Sequence, residues 1–355
     1  MAEKVLMKGN EAIAEAAIRC GCMHYFGYPI TPQTEIAAYM AKRMPKIGGV
    51  FLQAESEIAA INMVYGVAAT GKRVMTSSSS PGISLKSEGI SYIAGCDLPC
   101  LIVNVQRGGP GLGGIQPSQA DYFQATRGSG HGDYHLLVLA PASVQEMATL
   151  TVKGFDLAEK YRVPAMLLAD GTIGQMMEPV NLEIGEVAKY EKPWAVTGTE
   201  GKRAHNIVNS LSLNPQELEQ QNFARFDKYK VIEENEAMAE EFMMEDAEIC
   251  VVAFGVASRV SRNAILAARE KGIKVGMIRP ITVWPFPKKV LQKAAEHVKS
   301  FISVELSMGQ MIEDVRLSIN CSRPVTLCNR AGGIIPTPEE VLEKICEVDK
   351  MGGAQ

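Results

Sequence analysis

Short apolar segments alternate with segments of helical periodicity along most of this 355-residue chain, and this alternation is what most constrains its fold. Strands that are buried on both faces read as continuous apolar runs, and the helices between them carry one apolar stripe. The pattern is typical of parallel sheets that are wrapped by helices. We therefore predict the α/β class, with doubly wound sheets.

The alternation falls into two stretches, which predict two doubly wound domains, 1–180 and a smaller one, 248–350. The candidate strands are His24–Tyr28, Val50–Gln53, Arg73–Ser77, Cys100–Val105, Leu136–Leu139 and Ala165–Ala169, then Ile249–Phe254, Lys274–Ile278, Phe301–Glu305 and Val325–Cys328. The candidate helices are Asn10–Cys20, Gln33–Met44 and Ser143–Tyr161, then Ser258–Lys271, Pro287–Val298, Met308–Ile319 and Pro338–Val348. Residues 181–247 are polar and acidic, and we interpret them as a linker and insertion with one or two surface helices but no clear strand.

Composition argues against several classes of function. The net charge is −4 and no dense Lys/Arg cluster occurs, which argues against nucleic acid or an anionic membrane as a partner. No window approaches the roughly 18 consecutive apolar residues of a membrane span. Met1–Lys8 is too short and too polar for a signal peptide. We expect a cytoplasmic protein with neither kind of partner.

The eight cysteines stand at positions 20, 22, 96, 100, 250, 321, 328 and 346. They form no Cys-x-x-Cys pair, and the five histidines add no zinc or other metal spacing. We therefore expect reduced, mostly buried thiols and no metal site in this chain.

Ligands of open parallel sheets gather beyond the carboxyl ends of the strands, and four such ends in residues 1–180 carry unusual residues. The first is the rigid turn Tyr28–Pro32. In this turn Thr31 either caps the next helix, with Pro32 at the first helical position, or presents its hydroxyl to a ligand. The pattern is compatible with both roles.

The second strand end carries two acidic residues, Glu55 and Glu57, where a helix begins. Two positions on a helix differ by about 200°, so only one of these carboxylates can face a given site. Glu57 lies in line with Ile61, Val64 and Ala68, on an apolar stripe where an unpaired carboxylate is costly. We expect Glu57 to be buried with a specific partner, which is either a ligand or a neighbouring backbone.

The third end is the hydroxyl-rich segment Thr76–Gly82, which suits either an anion at a helix N-terminus or a plain tight turn. The fourth is Arg107, followed by the glycine-rich segment 108–114. Arg107 is either an ion-pairing residue or the receptor of a planar carboxylate. The glycine spacing is neither a dinucleotide fingerprint nor a phosphate loop.

Several segments together resemble the α subunit of 2-oxoacid:ferredoxin oxidoreductases. The resemblance rests on Tyr28–Pro32, the Glu57 helix, Pro99–Arg107 and Gly128–Tyr134. It covers nearly the whole chain, and residues 181–247 contribute least to it. Within the family the chain looks closest to the branched-chain type, which acts on 3-methyl-2-oxobutanoate.

The resemblance implies that the first domain is the pyrimidine-binding half of a thiamine diphosphate site. The second domain is then similar to the transketolase C-terminal domain. Glu57 matches the glutamate that hydrogen-bonds the aminopyrimidine ring and so promotes loss of a proton from the thiazolium carbon. The resemblance also implies cofactor contacts for Ile30 and Ser79. Thr31 and Arg107 match positions that contact the 2-oxo acid, Arg107 through its carboxylate.

The resemblance also implies partners. The family decarboxylates the 2-oxo acid, passes two electrons singly to [4Fe-4S] clusters and transfers the acyl group to coenzyme A. The Gly-Asp-Gly…Asn motif that holds Mg²⁺ and diphosphate is represented only by the fragment Ala169–Gly171. We therefore expect a β subunit with the diphosphate and Mg²⁺ site, a γ subunit, a ferredoxin-like δ subunit, and external ferredoxin.

Other interpretations stay open at this point. The same reaction on 2-oxoglutarate or pyruvate is one, although the second carboxylate of 2-oxoglutarate would require a further basic residue that the sequence does not locate. A non-catalytic assembly subunit and a simple small-molecule binding module are the others.

Overall fold

The computed structural model describes residues 4–183, 185 and 187–352. The strands are β1 (Lys4–Lys8), β2 (His24–Gly27), β3 (Val50–Gln53), β4 (Val74–Ser78), β5 (Leu101–Gln106), β6 (Leu137–Leu139), β7 (Ala165–Asp170), β8 (Met177–Asn181), β9 (Ala239–Phe242), β10 (Ile249–Val252), β11 (Val275–Pro280), β12 (Thr282–Trp284), β13 (Ser300–Glu305) and β14 (Val325–Asn329). The helices are α1 (Gly9–Arg19), α2 (Thr34–Arg43), α3 (Glu57–Ala69), α4 (Pro81–Gly95), α5 (Tyr122–Thr126), α6 (Val144–Tyr161), α7 (Gly171–Gln175), α8 (Pro215–Asn235), α9 (Gly255–Glu270), α10 (Lys288–Ala295), α11 (Met311–Ser318) and α12 (Pro338–Gly352), with a short 3-10 helix (Met44–Ile47) after α2. In this described part of the chain, no helix is long and apolar enough to cross a lipid bilayer.

The first sheet has seven strands in the order β12-β6-β7-β5-β4-β2-β3. All six strands predicted for the first domain belong to it, and they run parallel. The central strands β4, β5 and β7 are buried along their whole length, and β5 and β7 begin with the continuous apolar runs that are typical of such strands. Their carboxyl ends, which include Ser78, Gln106 and Asp170, therefore meet at one edge of the sheet.

The seventh strand, β12, comes from the second half of the chain and was not predicted. It pairs antiparallel with β6, and Trp284 stacks on His135 with their ring centroids 4.6 Å apart. Three residues with Pro285 directly after them give no strand signal in the sequence. The pairing depends on contacts between segments that are far apart along the chain.

The second sheet has five strands in the order β14-β13-β10-β11-β9. Its four predicted strands are parallel, and the predicted α/β class with two helix-wrapped sheets is confirmed. The expectation of no strand within 181–247 is wrong, because β9 pairs antiparallel with β11 at the sheet edge. Its sequence, Ala-Glu-Glu-Phe, has a low strand propensity, but buried Arg279 holds Glu240 of β9 in an ion pair of 2.7 Å. The domain boundaries at 180 and 247 stay a prediction.

A third sheet has only two strands, β1 and β8, which pair antiparallel. The seven-stranded and five-stranded sheets meet at the carboxyl ends of their strands. Gln119 donates to the Phe254 oxygen at 2.8 Å and accepts from the Leu306 nitrogen at 3.1 Å. Asp170, at the end of β7, accepts from the Val256 nitrogen at 2.9 Å. These buried side chains of the first domain satisfy backbone groups at the strand ends of the second domain, so they fix the domains against each other.

Candidate active site

Glu57 is the first residue of α3 and is buried, with 6% of its surface exposed. Ser56 precedes it as the N-cap, and its hydroxyl accepts from the Ala59 nitrogen at 3.2 Å. Ile61, Val64 and Ala68 on the same stripe are fully buried, whereas Glu55 is exposed. The predicted division between the two carboxylates is therefore confirmed.

The Glu57 carboxylate lies against the start of α4 and the end of β4. A Cβ on Gly82 would lie 2.8 Å from Glu57 Oε1 and 2.0 Å from Ser78 Oγ. Beside it, the buried hydroxyls of Thr76, Ser78 and Ser79 have no hydrogen-bond partner among the described residues. Buried polar atoms normally have partners, so this cluster suits the polar edge of a ligand. Its acceptors and hydroxyls fit an aminopyrimidine ring.

Lys86 is a residue of this region that the sequence analysis did not single out. Its side chain has no exposed surface, and its ammonium donates to the backbone oxygen of Glu57 at 3.5 Å. Burial lowers the pKa of Lys86 to about 8, although the negative charge of Glu57 opposes this shift. Its spacing from Gly82, four residues along α4, is a signal that could have found it, because both positions share one helix face.

Arg107 lies directly after β5, and its guanidinium joins the first predicted turn to the glycine-rich loop. Nη1 donates to the Thr31 backbone oxygen at 2.9 Å, and Nη2 donates to the Leu112 oxygen at 3.0 Å. Its buried Nε has no partner among the described residues. The guanidinium carries five N–H donors, so donors remain for a ligand.

The structure contradicts one expectation for Thr31. Helix α2 begins at Thr34 with Gln33 at its N-cap position, so Thr31 does not cap it and Pro32 is not its first residue. The Thr31 side chain is exposed. The expected capping role is therefore wrong, and the contact of Thr31 with a ligand stays a prediction.

Ser80 connects the hydroxyl-rich segment with the strand that ends at Arg107. Its hydroxyl donates to Asp121 at 2.6 Å and accepts from the Arg107 nitrogen at 3.0 Å. Asn104 donates to the same carboxylate at 2.9 Å and accepts from the Ser80 nitrogen. Burial raises the pKa of Asp121, although these hydrogen bonds oppose it. The sequence analysis missed Asn104 and Asp121, because Asp121 reaches the site from a loop.

The predicted residues thus fall into two groups. Glu57 lies against Ser78 and Gly82, whereas Arg107 contacts the turn at Thr31. No hydrogen bond joins Glu57 to Arg107 within the described residues; the segment from Ser78 to Gly82 lies between them. Ser79 belongs to that segment. Ile30 lies half-buried in the turn beside Thr31.

Four apolar side chains on the segments that carry the site residues are exposed. Their exposed fractions lie between 36% and 52%: Tyr28, Leu52, Ile58 and Leu85. Exposed apolar residues that cluster around a polar site are typical of a surface that another chain covers.

Known families match both parts of the chain. The family described as pyruvate flavodoxin/ferredoxin oxidoreductase, thiamine diphosphate-binding, matches residues 15–248. The chain belongs to this family. Residues 247–341 match the pyruvate:ferredoxin oxidoreductase core domain II. The first region contains Glu57, Ser79 and Arg107, so the candidate site lies in a thiamine-diphosphate-binding domain.

Individual relatives agree with the family. The chain is 52% identical to the ketoisovalerate oxidoreductase subunit VorB of Methanothermobacter marburgensis, over 97% of both chains. It is 36% identical to the 2-oxoglutarate synthase subunit KorA of Methanothermobacter thermautotrophicus, over 99% of this chain and 100% of the relative. The resemblance to α subunits of 2-oxoacid:ferredoxin oxidoreductases is confirmed.

Solved structures place the fold in the same family. The 2-oxoglutarate:ferredoxin oxidoreductase from Magnetococcus marinus, solved with 2-oxoglutarate, coenzyme A and succinyl-CoA, superposes with a TM-score of 0.87 and 29% identity. The superposition covers 98% of this chain and 66% of that longer one. A split-gene transketolase shares the fold alone, with a TM-score of 0.62 and 13% identity.

All eight cysteines are free, and five of them are buried: Cys20, Cys22, Cys100, Cys250 and Cys328. The expectation of mostly buried thiols is confirmed. Burial raises the pKa of the Cys20 thiol to about 11 and that of Cys100 to about 12, so both are protonated at neutral pH. Within residues 4–183, 185 and 187–352, no group of three or more His, Cys, Asp or Glu side chains could hold a metal ion.

Gly82 allows us to test how closely α4 approaches Glu57. Because a Cβ at this position would overlap Ser78 Oγ, Gly82→Ala is expected to destabilise the protein by about 1–3 kcal/mol. Gly66→Ala on α3 is the matched control: it meets no atom within 4 Å and should stabilise the helix by about 0.5–1 kcal/mol. Denaturant unfolding of both variants measures the difference. Equal effects of the two substitutions would contradict the close approach.

Proposed function

We propose that this chain is the α subunit of a 2-oxoacid:ferredoxin oxidoreductase that acts on a branched-chain 2-oxo acid, 3-methyl-2-oxobutanoate. The enzyme would release carbon dioxide, transfer the acyl group to coenzyme A and reduce ferredoxin. The observation that carries the proposal is Glu57, a carboxylate buried on an apolar stripe. The substrate class is supported by relatives named ketoisovalerate oxidoreductase subunits, which are 52% identical, against 36–38% for relatives named 2-oxoglutarate synthase subunits.

Thiamine diphosphate, when bound, supplies a carbon nucleophile for the 2-oxo group and accepts the electron pair that decarboxylation releases. In our proposal the Glu57 carboxylate accepts a hydrogen bond from the pyrimidine ring. Glu57 is largely buried, and a hydrogen bond in surroundings of low dielectric constant is stronger than one in water. The unpartnered hydroxyl of Ser79 and the half-buried side chain of Ile30 complete the pyrimidine contacts.

Arg107 and Thr31 would bind the 2-oxo acid. The guanidinium is held by two backbone carbonyls, so its orientation is fixed before the substrate binds. A buried, preoriented arginine can hold a carboxylate through two parallel hydrogen bonds. The exposed Thr31 hydroxyl lies in the turn whose carbonyl Arg107 contacts, and it is our second candidate for a substrate contact.

Partner subunits complete the site in this proposal. A β subunit would bring Mg²⁺ and hold the diphosphate, and a δ subunit would carry [4Fe-4S] clusters that pass electrons to external ferredoxin. A γ subunit would complete the complex, in which coenzyme A is the cosubstrate. The exposed apolar side chains of Leu52, Ile58 and Leu85 around Glu57 support a site that lies between two chains.

Glu57→Gln tests the role of the carboxylate. The amide is nearly isosteric but cannot accept the ring proton, so turnover of the assembled complex should fall by about 10²–10⁴. Hydrogen–deuterium exchange at the thiazolium carbon should slow in parallel. Glu55→Gln, two residues away and exposed, is the control and should behave as the wild type. An unchanged exchange rate in Glu57→Gln would falsify the assignment.

Arg107→Lys tests the substrate contact. Lysine carries no planar pair of donors, so the KM for the 2-oxo acid should rise while the affinity for thiamine diphosphate stays the same. Arg316→Lys, at an exposed position of α11, should change neither value. If both ligands bind Arg107→Lys more weakly, Arg107 maintains the fold and does not contact the substrate.

The isolated chain should be inactive. Because only the pyrimidine end of the cofactor would be held here, the diphosphate lacks its charge-assisted contacts, which contribute about 1.5–3 kcal/mol each. The purified chain should be colourless and show no binding of thiamine diphosphate in calorimetry at micromolar concentrations. Adding the partner subunits and Mg²⁺ should restore cofactor binding and activity together. A brown, active single chain would overturn the proposal.

A further inference from the structure

Side chains from distant parts of the chain hold the turn between β2 and α2. Arg107 donates to the Thr31 oxygen at 2.9 Å. The next carbonyl of the turn, that of Pro32, accepts from Asn10 Nδ2 at 2.8 Å and from Gln175 Nε2 at 3.2 Å. Asn10 belongs to α1, and Gln175 ends α7. Two consecutive carbonyls of the turn are therefore fixed from three different parts of the fold.

Asn10 has no exposed surface. Its Nδ2 donates to the Pro32 oxygen and also to Glu35 Oε2, at 2.9 Å. Its Oδ1 is buried and has no partner among the described residues. A buried polar atom without a partner costs about 1–3 kcal/mol, and leucine, which has a similar size, carries no such atom. The two bonds that Asn10 donates to the turn and to the first turn of α2 are therefore what distinguishes asparagine from leucine at this position.

The start of α1 packs closely on α7, so Asn10 has little freedom to move. A Cβ on Gly9 would lie 2.1 Å from the Ile173 oxygen, and a Cβ on Gly174 would lie 2.7 Å from Asn10 Oδ1. The Gly9 nitrogen also donates to the Met176 oxygen at 3.1 Å. A side chain at either glycine would prevent this approach. Asn10 thus holds the turn from a rigid position.

The other side chains of this polar group are partly exposed. Gln175 donates to Glu35 Oε2 at 2.8 Å, and the Lys8 ammonium donates to Glu35 Oε1 at 3.2 Å. Water can replace the bonds of these three side chains, whereas it has no access to Asn10. Asn10 is therefore the member of the group on which the position of the turn depends most.

The turn carries one candidate substrate contact and orients the other. Thr31 lines an open pocket, whose lining also includes Ile115 and Gln175 of the first domain and Ile335 of the second. The guanidinium of Arg107 is bonded to the Thr31 oxygen, so a displaced turn would also displace this guanidinium.

We propose that Asn10 is a positioning residue of the substrate site, which fixes the turn so that Thr31 and Arg107 are oriented for the carboxylate of the 2-oxo acid before it binds. This inference rests on the proposed function, because that proposal assigns both residues to the substrate. Since Asn10 has no exposed surface, it acts through the Pro32 carbonyl and not by contact with the substrate. A displacement of about 1 Å in groups that orient a substrate can change the rate by about 10²-fold.

Asn10→Leu removes both donors and keeps the size of the side chain. Thr151→Val is the matched control, because Thr151 is equally buried in α6, which packs on α1, and its hydroxyl donates within α6 to the Met147 oxygen at 2.6 Å. KM and kcat for 3-methyl-2-oxobutanoate are measured in the assembled complex, saturated with thiamine diphosphate, Mg²⁺ and coenzyme A. Hydrogen–deuterium exchange at the thiazolium carbon is measured on the same samples without the 2-oxo acid.

Asn10→Leu should raise the KM by about 10-fold or more, with a smaller change in kcat. Its exchange rate should equal that of the wild type, because exchange depends on Glu57, which lies beyond the segment 78–82. Thr151→Val should follow the wild type in all three values. A loss of folded complex alone would lower kcat and exchange together and leave the KM unchanged. A wild-type KM in Asn10→Leu, or exchange that falls as much as kcat/KM, would overturn the inference.

The double variant Asn10→Leu with Arg107→Lys tests whether Asn10 acts through this contact. Its KM should rise by less than the product of the two single effects, because the second change weakens a contact that the first has already misplaced. Effects that simply multiply would contradict the proposed role.

Asn10→Asp, which is nearly isosteric, decides if Asn10→Leu does not assemble. The introduced carboxyl group keeps one donor when protonated, and it has none and faces Glu35 when ionised. Between about pH 6 and about pH 9 the KM of this variant should therefore rise relative to that of the wild type. A KM that follows the wild type across this range would refute the inference.

Arg107→Lys in the same series separates the two proposals. A raised KM in Arg107→Lys with a wild-type KM in Asn10→Leu removes only this inference, whereas a wild-type KM in Arg107→Lys removes the proposed substrate contact itself.

Discussion

Parallel pairing of the strands in the first sheet brings their carboxyl ends to one edge, and the candidate site depends on this constraint. The turn at Thr31 follows β2, Glu57 follows β3, the serine segment follows β4 and Arg107 follows β5. Each connection between parallel strands crosses back to the edge where the strands begin. The segments that follow the strands therefore lie together at the opposite edge, although they are tens of residues apart in the sequence. The hydrogen bond from Arg107 to the Thr31 oxygen spans 76 positions of the sequence in this way.

Polar groups at this edge are buried in two different ways. Ser80, Asn104 and Asp121 satisfy one another, and Ser80 holds the serine segment against the Arg107 backbone. The buried hydroxyls of Thr76, Ser78 and Ser79 lack partners among the described residues. The first group makes the edge rigid, and the second has hydrogen-bonding capacity left for a ligand. A preorganised binding site requires both: hydrogen-bonded side chains that keep the site rigid, and polar groups beside them that are free to bind a ligand.

The second domain contacts the first sheet next to the edge that carries the candidate site. Gln119 and Asp170 bond to backbone groups at the strand ends of the second sheet, and β12 extends the first sheet past β6. The second domain therefore helps to hold the loops that follow β5 and β7. The open side of the site, around Ile58 and Leu85, is left to a partner chain in the proposed complex.

The sequence by itself determined the α/β class, ten of the fourteen strands and the burial of Glu57, because these depend on local periodicity. An apolar run, or a stripe of apolar positions three and four residues apart, indicates which face of a strand or helix is buried. It does so without information on the element that packs against this face. The tertiary structure alone decided on the other four strands, β1, β8, β9 and β12. It also decided on the N-cap of α2 and on the positions of Asp121 and Lys86. Edge strands are fixed by pairing with distant residues, as Glu240 of β9 pairs with Arg279. The sequence shows that Lys86 shares a helix face with Gly82, but its burial is decided by the tertiary structure, because the glycines on that face let α4 pack closely on α3.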